Sequence, residues 1–397
     1  WTKLGNMTTA KLEYSTDGGA TYPNLISATV NPATGSPFAW TVPDSLSQQV
    51  RVKISDASDA TVSSASPSNF TIKGTLTLTS PNGSESWIVA SVHNITWNKT
   101  GSIANVKLEY SNNGGATYPN LIIGSTDATL PYAWTIPDAI GTQLRVKVTD
   151  AANSVVSDTS DANFIVRGAL RITAPNGNEI LTVGATQNIT WARTGSIANA
   201  KLEYSTNSGA TFPNLIVAVS DASAQTYAWT VPDALGFNAR VRITDASDSV
   251  VTDDSDADFT IKGALSLTAP NGAEVWKVGT VQNIVWQRFG SIQNVKLEYS
   301  TNGGSTYPNS IIASTDAAAG TYAWTIPDSI GIQTKVRVTN TSDSSVYAVS
   351  ASNFAIKGVL TVVAPNGGEA WGVATSQNIT WTRAGSIANA RIEYSTD

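Results

Sequence analysis

The chain of 397 residues is built on a sequence repeat with a step of 94–96 residues. Four motifs recur at this step: Pro-Asn-Gly (81–83, 175–177, 270–272, 365–367), Pro-Asp (43–44, 137–138, 232–233, 327–328), Lys/Arg-Gly (73–74, 167–168, 262–263, 357–358) and a Trp (1, 97, 191, 286, 381). A solenoid unit has about 20–50 residues, whereas a single β-sandwich domain has about 100. The repeat therefore predicts tandem domains and not a solenoid.

The motifs divide the chain into five segments: 1–74, 75–168, 169–263, 264–358 and 359–397. The middle three are complete, the first lacks its beginning and the last lacks its end, so we expect a window on a longer polypeptide. Only a Lys/Arg-Gly step separates one copy from the next, whereas flexible linkers contain several Gly, Ser or Pro residues. This junction predicts domains that are stiffly linked in an extended rod.

Within one copy the hydrophobic pattern has a period of two residues. In the segment 294–300, Val295, Leu297 and Tyr299 alternate with polar residues, and a Thr-Asn-Gly-Gly turn follows. Such alternation between frequent turns, without a helical stripe, predicts an all-β fold of tandem antiparallel β-sandwiches of immunoglobulin-like type. Two series of tryptophans are expected to fill the core, at 97, 191, 286 and 381 and at 40, 134, 229 and 324.

Composition excludes several classes of function. The net charge of −6 argues against nucleic acid and against an anionic membrane surface as partners. No apolar run reaches the roughly 18 residues that a membrane span needs. The chain has no Cys and a single His, His93, so neither a thiol enzyme, a recurring Ser-His-Asp triad nor a His-based zinc site is predicted. We expect a protein that is not an enzyme and requires no cofactor.

An acidic segment at 245–258 is the one candidate metal site. It contains six aspartates, Asp245, Asp248, Asp253, Asp254, Asp256 and Asp258. Calcium takes six to eight oxygen ligands, which flexible Asp-rich loops supply. A solvated acidic hairpin without metal explains the same pattern, so both interpretations stay open.

A tryptophan follows the Pro-Asn-Gly turn in three copies, as Trp87, Trp276 and Trp371. These rings are candidates for stacking on sugars, which makes glycans candidate partners. Packing in the core or at a junction is the alternative. The copy at 169–263 carries Ile180-Leu181 at this position, which weakens the case for a ligand platform in every copy.

The recurring turn at 15–22, Ser-Thr-Asp-Gly-Gly-Ala-Thr-Tyr, resembles the Asp-box of sialidase propellers. Asn113, Asn207 and Asn302 stand at the position of Asp17. The resemblance implies a hairpin corner in which Asp or Asn bonds to its own downstream backbone. The turns recur about every 95 residues, whereas propeller blades of roughly 50 residues would be needed for a sialidase.

The whole repeat resembles the immunoglobulin-like or fibronectin-like repeats of bacterial secreted and surface proteins, through segments such as PNGAEVWKVG and VKLEYSTNGG. It is also similar to the Ser/Thr-rich, anchor-associated domain family of fungal cell walls. The resemblance implies an extracellular or cell-surface location and a structural role. Our leading hypothesis is a non-enzymatic component of an extracellular fibre, stalk or surface filament, with other copies of the chain as partners. A carbohydrate-binding or adhesive array, and the stalk of a larger secreted enzyme, are the alternatives.

Overall fold

A computed structural model describes residues 1–396 of the chain. No α-helix occurs in this range, and the regular structure consists of β-strands and two short 3-10 turns, Ala222–Ala224 and Ala317–Ala319. The residues form two compact units: Trp1–Ala169 with Arg193–Ala198, and Leu170–Ala192 with the chain from Asn199 onward. The prediction of an all-β fold is confirmed.

The strands are numbered in chain order. The segment 1–74 contains β1 (Ala10–Ser15), β2 (Asn24–Val30), β3 (Ser47–Asp56), β4 (Ser63–Ala65) and β5 (Phe70–Ile72). The segment 75–168 contains β6 (Thr75–Ser80), β7 (Ser86–Ile88), β8 (Val92–Thr100), β9 (Asn105–Ser111), β10 (Asn120–Asp127), β11 (Tyr132–Thr135), β12 (Gly141–Asp150), β13 (Ser157–Thr159) and β14 (Phe164–Arg167).

The next two segments repeat this pattern of nine strands. The segment 169–263 contains β15 (Ala169–Ala174), β16 (Ile180–Thr182), β17 (Thr186–Thr194), β18 (Asn199–Ser205), β19 (Asn214–Asp221), β20 (Thr226–Thr230), β21 (Gly236–Asp245), β22 (Thr252–Asp254) and β23 (Phe259–Lys262). The segment 264–358 contains β24 (Ala264–Ala269), β25 (Val275–Lys277), β26 (Val281–Phe289), β27 (Asn294–Ser300), β28 (Asn309–Asp316), β29 (Thr321–Thr325), β30 (Gly331–Asn340), β31 (Tyr347–Val349) and β32 (Phe354–Lys357). Two strands follow, β33 (Val359–Ala364) and β34 (Thr380–Ala384).

Each complete repeat is a sandwich of two sheets. In the segment 264–358, one sheet has the strand order β24-β26-β29 and the other has the order β25-β32-β30-β27-β28, with β31 paired to β30. The segments 75–168 and 169–263 show the same order. Two sheets with these non-consecutive neighbours are typical of the immunoglobulin-like sandwich. The predicted fold of tandem immunoglobulin-like sandwiches is therefore confirmed by the strand order.

One strand pair in each complete repeat corrects the prediction of purely antiparallel sheets. Strands β25 and β32 run parallel, as do β7 with β14 and β16 with β23. The first strand of a repeat, such as β24, pairs antiparallel with β26 in one sheet. The chain then turns through Pro-Asn-Gly and crosses to the other sheet, where β25 runs beside the last strand in the same direction.

The core follows the predicted alternation. Val295 and Leu297 are fully buried and Tyr299 is 9% exposed, between half-buried Lys296 and Glu298. Trp286 and Trp324 lie in the same core, and the Trp286 indole N–H donates to the Ala317 carbonyl at 3.0 Å. Burial of these large rings supplies a core without any disulfide. The rings at the two ends of the chain, such as Trp381, are more exposed.

Candidate functional site: the junctions between repeats

The glycine between repeats leaves no room for a side chain. Strand β23 ends at Lys262 and β24 begins at Ala264, so Gly263 is the only residue between them. A Cβ atom at Gly263 would lie 2.7 Å from the Phe289 carbonyl oxygen, and one at Gly74 would lie 2.3 Å from the Thr100 carbonyl oxygen. Such distances are shorter than van der Waals contact, so only glycine fits this step.

An aspartate contacts the following repeat beside each junction glycine. In the first unit, the Ser102 backbone N–H donates to Asp44 Oδ1 at 2.8 Å and the Ser102 hydroxyl donates to Asp44 Oδ2 at 2.5 Å. The backbone N–H and the hydroxyl of Ser196 both donate to Asp138 Oδ1 at 3.0 Å.

The second unit contains two further contacts of this kind. The N–H groups of Ser291 and Ser386 donate to Asp233 and Asp328 at 2.9 Å, and both hydroxyls donate as well. In all four pairs the serine lies 58 residues after the aspartate. We call these four pairs the Asp–Ser contacts.

The Pro-Asp motif is evident in the sequence, but its contact with a serine of the next repeat is evident only in the structure. The Gly-Ser-Ile motif that supplies the serine recurs at 101–103, 195–197, 290–292 and 385–387. Its constant spacing from Pro-Asp is a signal that could have identified the pair. The glycine of this motif has a positive φ, +85° at Gly290, and it lies close to Asp233 and Leu235 of the preceding repeat. The contact therefore combines polar and apolar packing.

Hydrogen bonding changes the acidity of two of these aspartates. Bonds from the Ser102 hydroxyl and backbone lower the pKa of Asp44, and bonds from Ser386 lower the pKa of Asp328 in the same way. A hydrogen bond to the ionised form favours that form. The contact is therefore strongest when the carboxylate is charged.

An ion pair also joins the 169–263 repeat to the 264–358 repeat. The Lys262 ammonium lies 3.2 Å from Asp343 Oδ2 and donates to the Ser345 hydroxyl at 2.7 Å. Lys262 belongs to the Lys/Arg-Gly motif, and Asp343 lies in the turn between β30 and β31. Two separate groups of side chains thus connect these neighbouring repeats in the second unit.

The recurring hairpin turn is closed by its own side chains. Asp17 accepts from the Thr21 backbone N–H at 3.0 Å, and the Ser15 hydroxyl accepts from the Gly19 N–H at 2.9 Å. Asn113, Asn207 and Asn302 accept from the threonine four residues later at 3.0–3.1 Å. Hydrogen bonds from Ser15 and Thr21 lower the pKa of Asp17. All four side chains point into local turns.

The glutamate after each Pro-Asn-Gly turn also bonds to its own turn. Glu274 accepts from the backbone N–H groups of Asn271 at 2.8 Å and Gly272 at 2.7 Å. Glu85, Glu179 and Glu369 make the equivalent pairs of bonds. Backbone donors of the turn therefore occupy all four carboxylates.

The six aspartates of the segment 245–258 have separate partners. Asp254 and Asp258 form ion pairs with Arg242 and Arg240, each at 2.6 Å. The other four accept hydrogen bonds at 2.6–3.1 Å. Asp245 accepts from the Ser247 N–H, Asp248 from the Val250 N–H, Asp253 from the Ile172 N–H and Asp256 from the Asn176 side-chain amide. In the part of the chain that the structure describes, no three acidic or histidine side chains form a group that could hold a metal ion. Calcium binding here stays a prediction, and it would require these bonds to open.

The structure corrects the prediction of sugar stacking at two of the three tryptophans. Trp87 and Trp276 are 7% and 8% exposed and pack against Phe164 and Phe354 of the core. Their strands belong to the sheet whose inner face forms that core, so the rings turn inward and no sugar can stack on them. His93 stacks on Trp87 with a centroid distance of 4.5 Å, which gives this lone histidine a packing role.

Trp371 lies in the segment 359–397 and is 45% exposed. This segment contains no counterpart of Phe354, the residue that covers Trp276 in the preceding repeat. Sugar stacking at Trp371 stays a prediction. Residues 1–396 also contain no helix of the length and apolar character that crossing a membrane requires.

Comparison with known proteins yields remote likenesses of fold. No protein-family model matches the chain, and no curated protein does. The N-terminal four Ig domains of Dscam1 isoform 6.9 align with 9% identity and a TM-score of 0.26, over 88% of this chain and 91% of that one. The fibronectin(III)-like modules of Clostridium thermocellum CbhA align with 16% identity and a TM-score of 0.19, over 47% of this chain and 94% of that one. Scores this low carry no argument about function, and the immunoglobulin-like fold rests on the strand order described above.

Proposed function

We propose that this chain is a non-enzymatic structural component of an extracellular fibre, stalk or surface filament. The observation that carries the proposal is the set of Asp–Ser contacts, which recur at a spacing of 58 residues beside a junction that admits only glycine. A repeat unit without a linker, held by the same contact each time, transmits force and orientation from one sandwich to the next. Other copies of the same chain are the proposed partners, because near-identical repeats present equivalent surfaces.

The mechanism assigns a role to each part of the junction. The glycine removes the side chain that would force the strands apart, and the Asp–Ser contact restrains rotation about the connection. In the second unit the ion pair between Lys262 and Asp343 restrains the same junction at a second point. Hydrogen bonds to a charged acceptor are stronger than those between neutral groups, and solvent weakens them at exposed positions such as these.

Distance measurements between paired spin labels test this role of the contacts. The chain has no Cys, so labels at Leu215→Cys and Ile332→Cys, both exposed positions in neighbouring repeats, would be unique. We expect a narrow distance distribution that broadens in the Asp233→Ala/Ser291→Ala variant. Ser310→Ala, an exposed serine away from the junction, is the matched control and should leave the distribution narrow. An equally narrow distribution in the double variant would refute the proposed role of the contact.

Electron microscopy of the native source material tests the assembly itself. We expect filaments with an axial period on the order of 30–45 Å, set by strands of about ten residues that rise about 3.3 Å per residue. Dispersed single particles in that material would argue against the filament. They would favour the adhesive array instead, since that function needs no axial assembly.

A further inference from the structure

A cleft of about 340 Å³ lies on the outer face of the 264–358 repeat. It is lined by the hairpin turn after β27 and by Tyr307, Lys335, Arg337, Tyr347 and Val349. Strand β31 supplies Tyr347 and Val349, which lie opposite Thr339 and Arg337 across the pair with β30. The cleft thus combines two cations with two tyrosines on one sheet face.

The equivalent face of the 169–263 repeat neutralises its own cations. Arg242 lies opposite Asp254 and forms a bidentate pair with it at 2.6 and 2.8 Å. Arg240 pairs with Asp258 at 2.6 Å. In the 264–358 repeat the residues at these two acidic positions are Val349 and Asn353, so both carboxylates are absent.

The 1–74 and 75–168 repeats also lack these two carboxylates, since Ala65 with Asn69 and Thr159 with Asn163 stand at these positions. The 264–358 repeat differs from them in its tyrosine, Tyr347, where the other repeats have Ser63, Ser157 and Thr252. The face of the 264–358 repeat carries three cations (Lys296, Lys335 and Arg337) and one carboxylate (Glu298). The face of the 169–263 repeat carries three cations (Lys201, Arg240 and Arg242) and three carboxylates (Glu203, Asp254 and Asp258). Within residues 1–396, Lys335 forms no ion pair, and its ammonium donates to the Ala351 carbonyl at 3.2 Å.

The aromatic residues of the cleft give it a second kind of contact. The Arg337 guanidinium lies over the Tyr307 ring at 4.5 Å from the centroid. Burial raises the pKa of Tyr307, which keeps its phenol protonated as a hydrogen-bond donor. Tyr347 is 55% exposed although it lies beside this ring, and the 169–263 repeat has the small Thr252 at its position. A flat exposed ring beside Lys335, which has no carboxylate partner within residues 1–396, and beside Arg337, which shares Glu298 with Lys296, matches a ligand with both an apolar face and a negative group.

We propose that this cleft binds an anionic saccharide. One sugar ring packs on Tyr347 and Val349, and its carboxylate or sulfate group lies between Lys335 and Arg337. Sugars fit this surface because a pyranose ring has an apolar face and a polar rim, and the charged group selects acidic sugars through charge-assisted hydrogen bonds. The site does not depend on the tryptophans considered from sequence, and it goes beyond the structural role proposed above.

Isothermal titration calorimetry of the full chain tests the site with three probes: a galacturonate hexasaccharide, a heparin-derived sulfated hexasaccharide and neutral cellohexaose. We expect one site per chain for at least one acidic probe and no heat of binding for cellohexaose. The two acidic probes distinguish a carboxylate ligand from a sulfate ligand. Absence of binding by both, or equal binding of cellohexaose, would overturn the proposal.

Variants locate the binding in the cleft. Val349→Asp restores the acid that Asp254 provides in the 169–263 repeat. Lys335→Gln removes the unpaired cation and keeps an unbranched polar side chain. We expect each variant to weaken the affinity about tenfold or more, the loss typical of one charge-assisted hydrogen bond. Val155→Asp makes the same change at a 75% exposed position in another repeat and should bind as the wild type does.

Circular dichroism spectra that match the wild type would establish that the variants are folded. Unchanged affinity in both folded variants would place the saccharide elsewhere and sink the proposal. If Val349→Asp alone were misfolded, Lys335→Gln would decide, because it alters only the exposed end of a side chain.

Discussion

Asp233 and Ser291 belong to successive repeats and are joined by two hydrogen bonds, from the Ser291 backbone N–H to Asp233 Oδ1 at 2.9 Å and from the Ser291 hydroxyl to Oδ2. The serine follows a glycine with positive φ, Gly290, which brings its N–H close to the preceding repeat. One aspartate therefore satisfies two donors of a neighbouring turn at each of the four Asp–Ser contacts, through both carboxylate oxygens at Asp44, Asp233 and Asp328 and through Oδ1 alone at Asp138.

Substitution of the junction glycine should destabilise the connection. A Cβ atom in Gly263→Ala would lie 2.7 Å from the Phe289 carbonyl oxygen and 2.9 Å from Ile292 Cδ1, so backbone must shift. We expect the local free energy of opening to fall by roughly 1–3 kcal/mol, as in overpacked sites. Hydrogen exchange followed by mass spectrometry should show faster exchange in peptides from β23 and β24. Gly236→Ala, with nothing within 4 Å, is the control and should exchange normally.

The Asp–Ser contact at Asp44 should weaken in acid. Because bonds from Ser102 lower the pKa of Asp44 in the folded chain, the contact contributes stability above the ordinary carboxyl pKa of about 3.9 and loses it as the pH falls through the folded value. We expect the protection factor near Ser102, which is the exchange rate corrected for the intrinsic rate at each pH, to fall below about pH 5 and to follow the titration of a single carboxyl group. Asp44→Asn should be less protected at pH 7 and lack this pH-dependent component. An identical pH profile in the variant would contradict the assignment.

Removal of a core tryptophan should unfold its repeat before the others. Trp276 packs on Phe354 and Trp324 with ring centroids 4.9 and 6.0 Å apart. Trp276→Ala should cost about 3–5 kcal/mol through lost burial and the cavity left behind. Trp276→Leu should cost less, because Leu181 occupies the same position in the 169–263 repeat at 6% exposure. Exchange rates in 169–263 provide an internal reference, and equal effects of both variants would contradict the packing argument.

The hairpin turn after β27 should keep its stability with an aspartate at position 302 and lose stability with an alanine there. Asn302 accepts from the Thr306 N–H at 3.0 Å and donates to the Thr306 hydroxyl at 2.8 Å. Asn302→Ala should lower the local free energy of opening by about 1 kcal/mol, the typical net value of such a bond. Asn302→Asp should retain protection, because Asp17 accepts the same N–H in its own turn. Hydrogen exchange of the β27–β28 hairpin distinguishes the two outcomes.

Much of the fold could be predicted because its signals are local. The alternation of Val295 and Leu297 with polar residues determines which side of β27 is buried, since successive side chains in a strand point to opposite faces. The step of 94–96 residues set the size of each sandwich, and the Asn-Gly and Asp-Gly pairs marked the hairpin turns. The parallel pairing of β25 with β32 could not be predicted, because it depends on the strand crossing between sheets.

The sites depended on contacts between distant segments. By residue type alone, Trp276 was a candidate both for stacking on a sugar and for packing in a core, and only the contact with Phe354 placed it inside. The six aspartates of 245–258 are a continuous acidic segment in sequence, and only the sheet brings Arg240, Arg242 and main-chain donors beside them. Sequence by itself determined the repeat, the two-residue alternation of the strands and the glycine junction, because each is recognised from motifs of a few residues. The tertiary structure alone decided which side chains form ion pairs, ring contacts and hydrogen bonds. Those partners lie up to 83 residues apart and meet only when the two sheets of a repeat, or two neighbouring repeats, pack together.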